Sequence, residues 1–474
     1  MAVAEKPTFG RRIWENSLTF KITASWLHKS AELKDLCARY GLSKWKPYLE
    51  SLFVLSIIFM PVIQSWKLIL PLLALLWLEN RRSRRPVARE LFFMGLILVA
   101  SAVLSNGFRA GISSLTTFSF WLGLAYLVSK AVSPELVQKL LSSLCFSSFI
   151  WIIIGFWQQM SGVPTPTGWL GNEQINYIKV RSYSVFGNPN IFALYLLLNL
   201  GISCDLIVFF ARSLKYRTGF LKNKSSSAYY LPQNGKSLYT RDEEGGVLFW
   251  MNLISFVLIL CFTLTALYYT YSRFAWLLSL VCLVRFWPRF GKRRWLIAGA
   301  VVLFFCTVQG FRIRMAPLLS FTDSSMEYRI LIWQGVLKAI ADHWLWGTGP
   351  GSFGMIYPWY RISNTVSNHA HQLYLQIWFE NGILSLMAFL WLFRKPVARC
   401  WYLFVHRGSR VLECDPSTKT TPASDLFALI VTIFLAYGLT ESWTQNHLIS
   451  GYFWFFYGLW VSSTRALSKE RITG

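Results

Sequence analysis

The sequence predicts an all-α, polytopic integral membrane protein of about 12 transmembrane helices, with a long outer loop that contains short surface helices. Three observations predict it. Of the 474 residues, 54% are hydrophobic and 17% aromatic but only 15% charged, whereas the surface of a soluble domain normally brings charged residues to about 25%. Apolar runs recur at close to the ~20 residues needed to cross a hydrocarbon layer about 30 Å thick. Finally, the basic excess, 47 Lys and Arg against 22 Asp and Glu for a formal +25, alternates from one connecting segment to the next. In a soluble protein that excess would suggest nucleic acid, but a mean hydropathy of +0.40 excludes the class, and no nucleic-acid partner is expected. Disorder, collagen and a secreted disulfide scaffold are excluded by the same composition.

The apolar runs lie near 51–65, 67–78, 91–105, 113–129, 141–158, 191–211, 247–270, 274–288, 295–311, 374–393, 425–443 and 449–465. Pro61 and Pro71 fall inside the first two, which read as a kinked hairpin or a single broken element. Basic residues in short loops mark the cytoplasmic side. With the N-terminus inside, segments 1–47, 79–90, 130–140, 212–246, 285–294, 394–424 and 465–474 are inner and hold 37 of the 47 Lys and Arg. Removing any one span would invert the pattern downstream of it, so both termini are expected in the cytoplasm. Residues 1–47 read as a cytoplasmic N-terminal segment whose Trp26, Leu33 and Leu36 can lie on the membrane face. Because the first apolar run begins only after about fifty polar, basic residues, no cleavable signal peptide is expected. Residues 48–470 read as a single transmembrane helical domain, with outer loops 159–190 and 312–373 and inner loops 212–246 and 394–424. All eight Cys lie in spans or inner segments, so neither a disulfide framework nor a cysteine metal cluster is implied.

Chemistry is expected in the two long outer loops, because loops held on a rigid scaffold carry function. In the second, Ile330, Trp333, Leu337 and Ile340 recur at helical spacing and predict a helix over 326–343 lying along the membrane surface, ended by the glycine-rich stretch at 347–352. Next come His369 and His371, which run straight into a span. Two histidines could ligate a metal, but the nearest carboxylates in sequence are Glu380 and remote residues such as Asp323, so no metal is expected. They are either inert interfacial histidines or a neutral imidazole acting as general base at the mouth of a membrane cavity. Arg273 sits at an outer turn with almost no loop, where a guanidinium is costly without a carboxylate or an anionic ligand. Arg329 lies on the polar side of the surface helix, and Arg181 precedes Gly187-Asn188-Pro189-Asn190. Three outer arginines with few acids suit a phosphate, which the planar guanidinium grips with two parallel bonds. They could equally contact lipid headgroups or helix ends. Asn188 to Asn190 also reads as a plain helix start. Glu380, one turn from Gln376, is a buried carboxylate that binds ligand, pairs with Arg273 or orients a histidine.

Taken in order, these blocks resemble the O-antigen ligase and O-antigen polymerase superfamily. The blocks are Arg181 through Asn190 and Tyr195; Tyr271-Ser272-Arg273; Arg329 to Trp333 through Gly347 to Phe353; and His369-Ala370-His371-Gln372 through Gln376 to Glu380-Asn381-Gly382-Ile383. The resemblance spans roughly 180–395 and departs from the family pattern at Gln372, where the family has Asn, and at Phe274, where it often has Gly. The first block is also similar to the branch described as inorganic-carbon transporters.

The resemblance implies an enzyme of a bacterial inner membrane that transfers or polymerises glycan on the periplasmic face. The donor would be a polyprenyl-diphosphate-linked glycan, the acceptor a glycan, lipid or protein hydroxyl, with membrane lipids around both. It implies His371 as the base, with His369 as its rival, and Arg273 and Arg329 on the diphosphate. Arg181, Asn188, Asn190, His369 and Glu380 are then expected to bind substrate. No cofactor is expected, because arginines can neutralise the phosphates without a metal, and attack opposite the diphosphate inverts the anomeric carbon. The rival reading is a transporter of a small anion such as bicarbonate, which predicts a charge-lined path; Asp205 and Glu380 are the main acids noted in the spans. A third reading is a structural envelope subunit.

Overall fold

Eleven of the twelve predicted apolar runs coincide with helices in a computed structural model, which describes residues 42–63, 66–79, 89–105, 108–166, 178, 180–217, 244–286, 324–405 and 422–466. The remaining run, 295–311, lies outside the described residues, as do Trp26, Leu33, Leu36 and Asp323. In chain order the long helices are α1 (Leu42–Ile58), α2 (Trp66–Glu79), α3 (Arg89–Leu104), α4 (Phe108–Ala131), α5 (Pro134–Met160), α6 (Pro189–Arg217), α7 (Glu244–Tyr269), α8 (Arg273–Phe286), α9 (Ser324–Asp342), α10 (Leu373–Val405), α11 (Pro422–Tyr437) and α12 (His447–Ala466). No strand occurs among the described residues. Of these helices, α5, α6, α7 and α10 are long and apolar enough to cross a membrane, and α3, α8 and α11 are shorter apolar helices. The proline-bearing first runs form a helical pair: α1 packs against α2, with the one-turn helix Met60–Ile63, which contains Pro61, between them.

The surface of the bundle is what a lipid solvent demands. Phe92, Phe93, Leu96 and Val103 on α3, Ile150, Ile153 and Trp157 on α5, and Met251, Ile254 and Leu258 on α7 are all exposed. A soluble monomer rarely shows apolar patches of this extent, so the chain is membrane-embedded. Helix α6 is enclosed on nearly every side, with α7 and α8 packed on it, whereas α7 shows most of its surface. Three ion pairs, Glu50–Lys139 at 3.4 Å, Glu90–Lys395 at 3.0 Å and Asp425–Arg399 at 2.8 Å, join helix ends that the basic-loop pattern assigns to the inner side.

Helix α10 is interrupted at Gly382, whose φ of 76° and ψ of 173° are not helical. The interruption frees backbone groups that cannot be left unpaired in an apolar setting. The outer loop takes them up: the amides of Thr348 and Gly349 donate to the carbonyls of Phe379 (2.8 Å) and Glu380 (2.9 Å), and the amide of Ile383 donates to the Trp344 carbonyl (2.9 Å). The approach is so close that a Cβ on Gly382 would sit 2.0 Å from the Leu345 carbonyl oxygen. At ~1.5 Å per residue the 33 residues of α10 span roughly 50 Å, well beyond the ~30 Å hydrocarbon layer. The run predicted at 374–393 is therefore part of a longer, kinked element.

Candidate active site

Helix α9 forms where the periodicity predicts it, but packs through a different face. Ile330 and Leu337 are exposed, while Ile332, Val336, Ala339 and Ile340 are buried against Phe353, Tyr357, Ala370 and Phe379. The helix has two apolar stripes, and spacing alone does not say which one meets protein. This packing lets the indole of Trp333 donate to the Ala370 carbonyl (2.9 Å), between the two histidines, and Arg329 donate to the Thr440 carbonyl (2.8 Å).

The histidine loop is braced from behind. The amide of Ala370 donates to the Gln376 side-chain oxygen (2.7 Å), and the Gln376 amide group donates to Glu380 (2.9 Å). The backbone amides of Gly351 and Phe353 also reach the Glu380 carboxylate. Glu380 is thus saturated by Gln376 and the glycine-rich loop, and reaches the histidines only through Gln376. Gln372 accepts from the Leu375 amide and so caps α10, while its own amide donates to the Ser442 hydroxyl (3.0 Å). His371, just before, holds a left-handed backbone, with φ of 51°. Strain of this kind in a non-glycine residue persists only where surrounding structure over-determines it.

The centre of the cluster is a residue that sequence reasoning missed. Glu441 falls inside the run predicted at 425–443, but α11 ends at Tyr437, and Glu441 lies in the connection to α12, with only 2% of its side chain exposed. Its Oε1 is 3.2 Å from His369 Nε2 and 3.7 Å from His371 Nδ1, and its Oε2 accepts from the Asn190 amide group at 3.0 Å. The signal that could have found it is a lone acid near the outer end of an apolar run. Burial works to raise the pKa of Glu441, but the two imidazoles outweigh it and hold the carboxyl well below its ordinary range. His371 is pushed below 6.5, chiefly by burial; Glu441 opposes this, while His369 and Arg329 add to it.

The arginines divide by environment. Arg181 is buried: its Nε donates to the Thr270 carbonyl (2.9 Å) and one terminal nitrogen donates to Asn190 Oδ1 (3.0 Å), so it links the 181–190 segment to the turn before α8. Asn190 therefore bridges Arg181 to Glu441. Asn188 accepts from the amides of Asn190 (2.8 Å) and Ile191 (3.4 Å) and is the cap of α6, with Pro189 in its first turn. Arg273 and Arg329 are only half-buried. Arg273 follows Ser272, whose hydroxyl bonds that of Tyr437 (3.0 Å), which itself donates to the Asn190 carbonyl (2.9 Å).

Residues 256–390 match the O-antigen ligase family. That match, over part of the chain, supports membership of the O-antigen ligase/polymerase superfamily. That family consists of glycan-handling membrane enzymes, and the matched stretch of this O-antigen ligase relative contains Arg273, Arg329, His369, His371 and Glu380. Arg181, Asn188, Asn190 and Glu441 lie outside it. No curated protein matches the chain. In this O-antigen ligase relative, one nitrogen of each histidine and a carboxylate oxygen of Glu441 lie within 4.8 Å of one another, a donor set that could hold a divalent cation. The positive charge of Arg329, which already disfavours a proton on His371, disfavours such a cation as well.

Proposed function

We propose that the chain is a periplasmic-face glycosyltransferase of the ligase/polymerase type, in which His371 activates an acceptor hydroxyl and Arg273 and Arg329 hold the diphosphate of a polyprenyl-linked glycan donor. The observation that carries this reading is the meeting of four distant sequence blocks around one base. His371 is backed by Glu441, flanked by Arg329, and joined through Asn190 to the turn that presents Arg273. The acceptor oxygen attacks the anomeric carbon opposite the leaving diphosphate, so the configuration inverts. The half-buried arginines neutralise charge as it develops on the leaving group, which makes a metal unnecessary. Arg181 and Asn190 hold the donor side of the site in shape. The acceptor is a glycan, lipid or protein hydroxyl.

About twelve spans, with both termini in the cytoplasm of a bacterial inner membrane, fit this function. They leave the histidines and outer arginines on the side away from the 37 inner basic residues. The three ion pairs at the opposite helix ends support that orientation. Residues 1–47 then form a cytoplasmic lead, although α1 already begins at Leu42, and 48–470 form one transmembrane domain.

The test is transfer from a purified lipid-linked glycan by the protein in detergent or vesicles. His371→Ala is expected to abolish transfer while expression and membrane insertion remain normal. Full activity of that variant would overturn the assignment of the base, and loss of wild-type activity with EDTA would overturn metal independence.

A further inference from the structure

A base that takes a proton from a hydroxyl must have the correct ring nitrogen unprotonated, and the group facing its other nitrogen selects which one that is. At this site that group is Glu441. It is buried yet held as an anion, and it faces Nδ1 of His371 at 3.7 Å while its other oxygen is anchored by Asn190 at 3.0 Å. A buried carboxylate without such partners would be expensive, so its retention beside two imidazoles calls for a role. His369 faces the same oxygen through Nε2 at 3.2 Å, so the anion favours opposite tautomers on the two rings. On His371 the proton belongs on Nδ1, which leaves Nε2 as the acceptor. On His369 it belongs on Nε2. Of the two histidines, His371 alone holds a left-handed backbone, a strained conformation that surrounding structure must over-determine.

We propose that Glu441 is the positioning residue of the transferase site: it fixes the Nδ1–H tautomer of His371, aims Nε2 at the acceptor hydroxyl and stabilises the imidazolium formed there. The inference rests on the function proposed above. In the step, the acceptor oxygen bonds to the anomeric carbon. The bond from that carbon to the phosphate oxygen breaks, and its electron pair leaves on the diphosphate. The hydroxyl proton goes to His371 Nε2, and Glu441 stays ionised throughout. The imidazolium, 16% exposed, returns its proton to water.

Three groups face His371 and set its titration: the Glu441 anion from the α11–α12 connection, His369 from its own loop and the Arg329 cation from α9. Replacing the anion with a neutral amide removes the only one of the three that favours the charged ring. Glu441→Gln is therefore expected to lower kcat by about 10²-fold or more, with the donor KM changed less than about twofold. It should also move the acid limb of kcat/KM to lower pH. Glu441→Asp should recover part of the rate. Nitrogen NMR of ¹⁵N-histidine-labelled protein should show Nδ1–H on His371 in the wild type and lose that preference in Glu441→Gln. Wild-type kcat in Glu441→Gln overturns the proposal, as does a loss of rate with the acid limb and tautomer unmoved, which is the signature of a merely structural residue. If the wild type transfers no glycan, the function reading fails, and the NMR measurement still decides whether Glu441 sets the tautomer.

Discussion

Left-handed backbone at a non-glycine residue is costly, and among the described residues it occurs at Ser184, Tyr271, Ser363 and His371. Three of these four lie within or next to the chemical blocks around Arg181, Arg273 and His371. Longer-range bonds brace these stretches: Gln158 clamps Ser184 through both its amide and its carbonyl (2.8 and 2.9 Å), the amide of Ser182 donates to the Tyr269 carbonyl (2.9 Å) two residues before Tyr271, and the amide of Gln372, next to His371, donates to the Ser442 hydroxyl (3.0 Å). His371 also carries the pH prediction. Its pKa lies below 6.5, so the neutral, proton-accepting ring persists below the ordinary histidine value. The acid limb of wild-type kcat/KM is expected below pH 6.5 when transfer rates are measured across pH, and a limb above 6.5 would contradict the burial argument. The sign for stability is the same. A folded pKa depressed below the unfolded one contributes stability that is complete above 6.5 and is lost as pH falls through the lowered value.

Helices set these residues in register, and α10 does so by being broken. Gly382 has a backbone conformation essentially reserved for glycine, and the outer loop lies where a side chain would be. Gly382→Ala must expel Leu345 or straighten the helix, and either change strips the partners from the carbonyls of Phe379 and Glu380. It is expected to destabilise the protein by at least about 3 kcal/mol. Thermal unfolding in detergent would show this as a clear fall in Tm, and an unchanged Tm would mean the loop is not tied to the break. Helix α9 matters for the same reason: one apolar face packs on the outer loop, and the bonds from Trp333 and Arg329 then fix the histidine loop and the Thr440 carbonyl relative to each other.

At the scale of the whole molecule, aromatic rings fill the contacts between α10 and α12. The ring of Phe393 lies 5.0 Å from that of Phe453 and 4.9 Å from that of Tyr457, and Trp443 meets Phe453 at 4.5 Å with the rings tilted. The charged groups of the cluster gather at one end, and the ion pairs of Glu90 and Asp425 gather at ends assigned to the other side. Proteoliposomes holding only this chain are therefore expected to take up no labelled bicarbonate, and measurable uptake would favour transport over transfer. Much of this was legible in the sequence. Apolar runs, alternating basic loops and the order of the polar blocks established a helical membrane protein, eleven of its helices and the histidines and arginines to consider, because span length, loop charge and side-chain chemistry are local properties. Which groups meet is a different matter. Glu441 lies 72 residues from His369 and 251 from Asn190, and read along the chain it is one acid at the end of an apolar run. Only the end of α11 at Tyr437 turns it back toward the histidines. The brace made by Arg181, the retreat of Glu380 behind Gln376 and the choice of packing face on α9 were likewise decided by tertiary structure, since each depends on burial and hydrogen bonding between segments that no periodicity links.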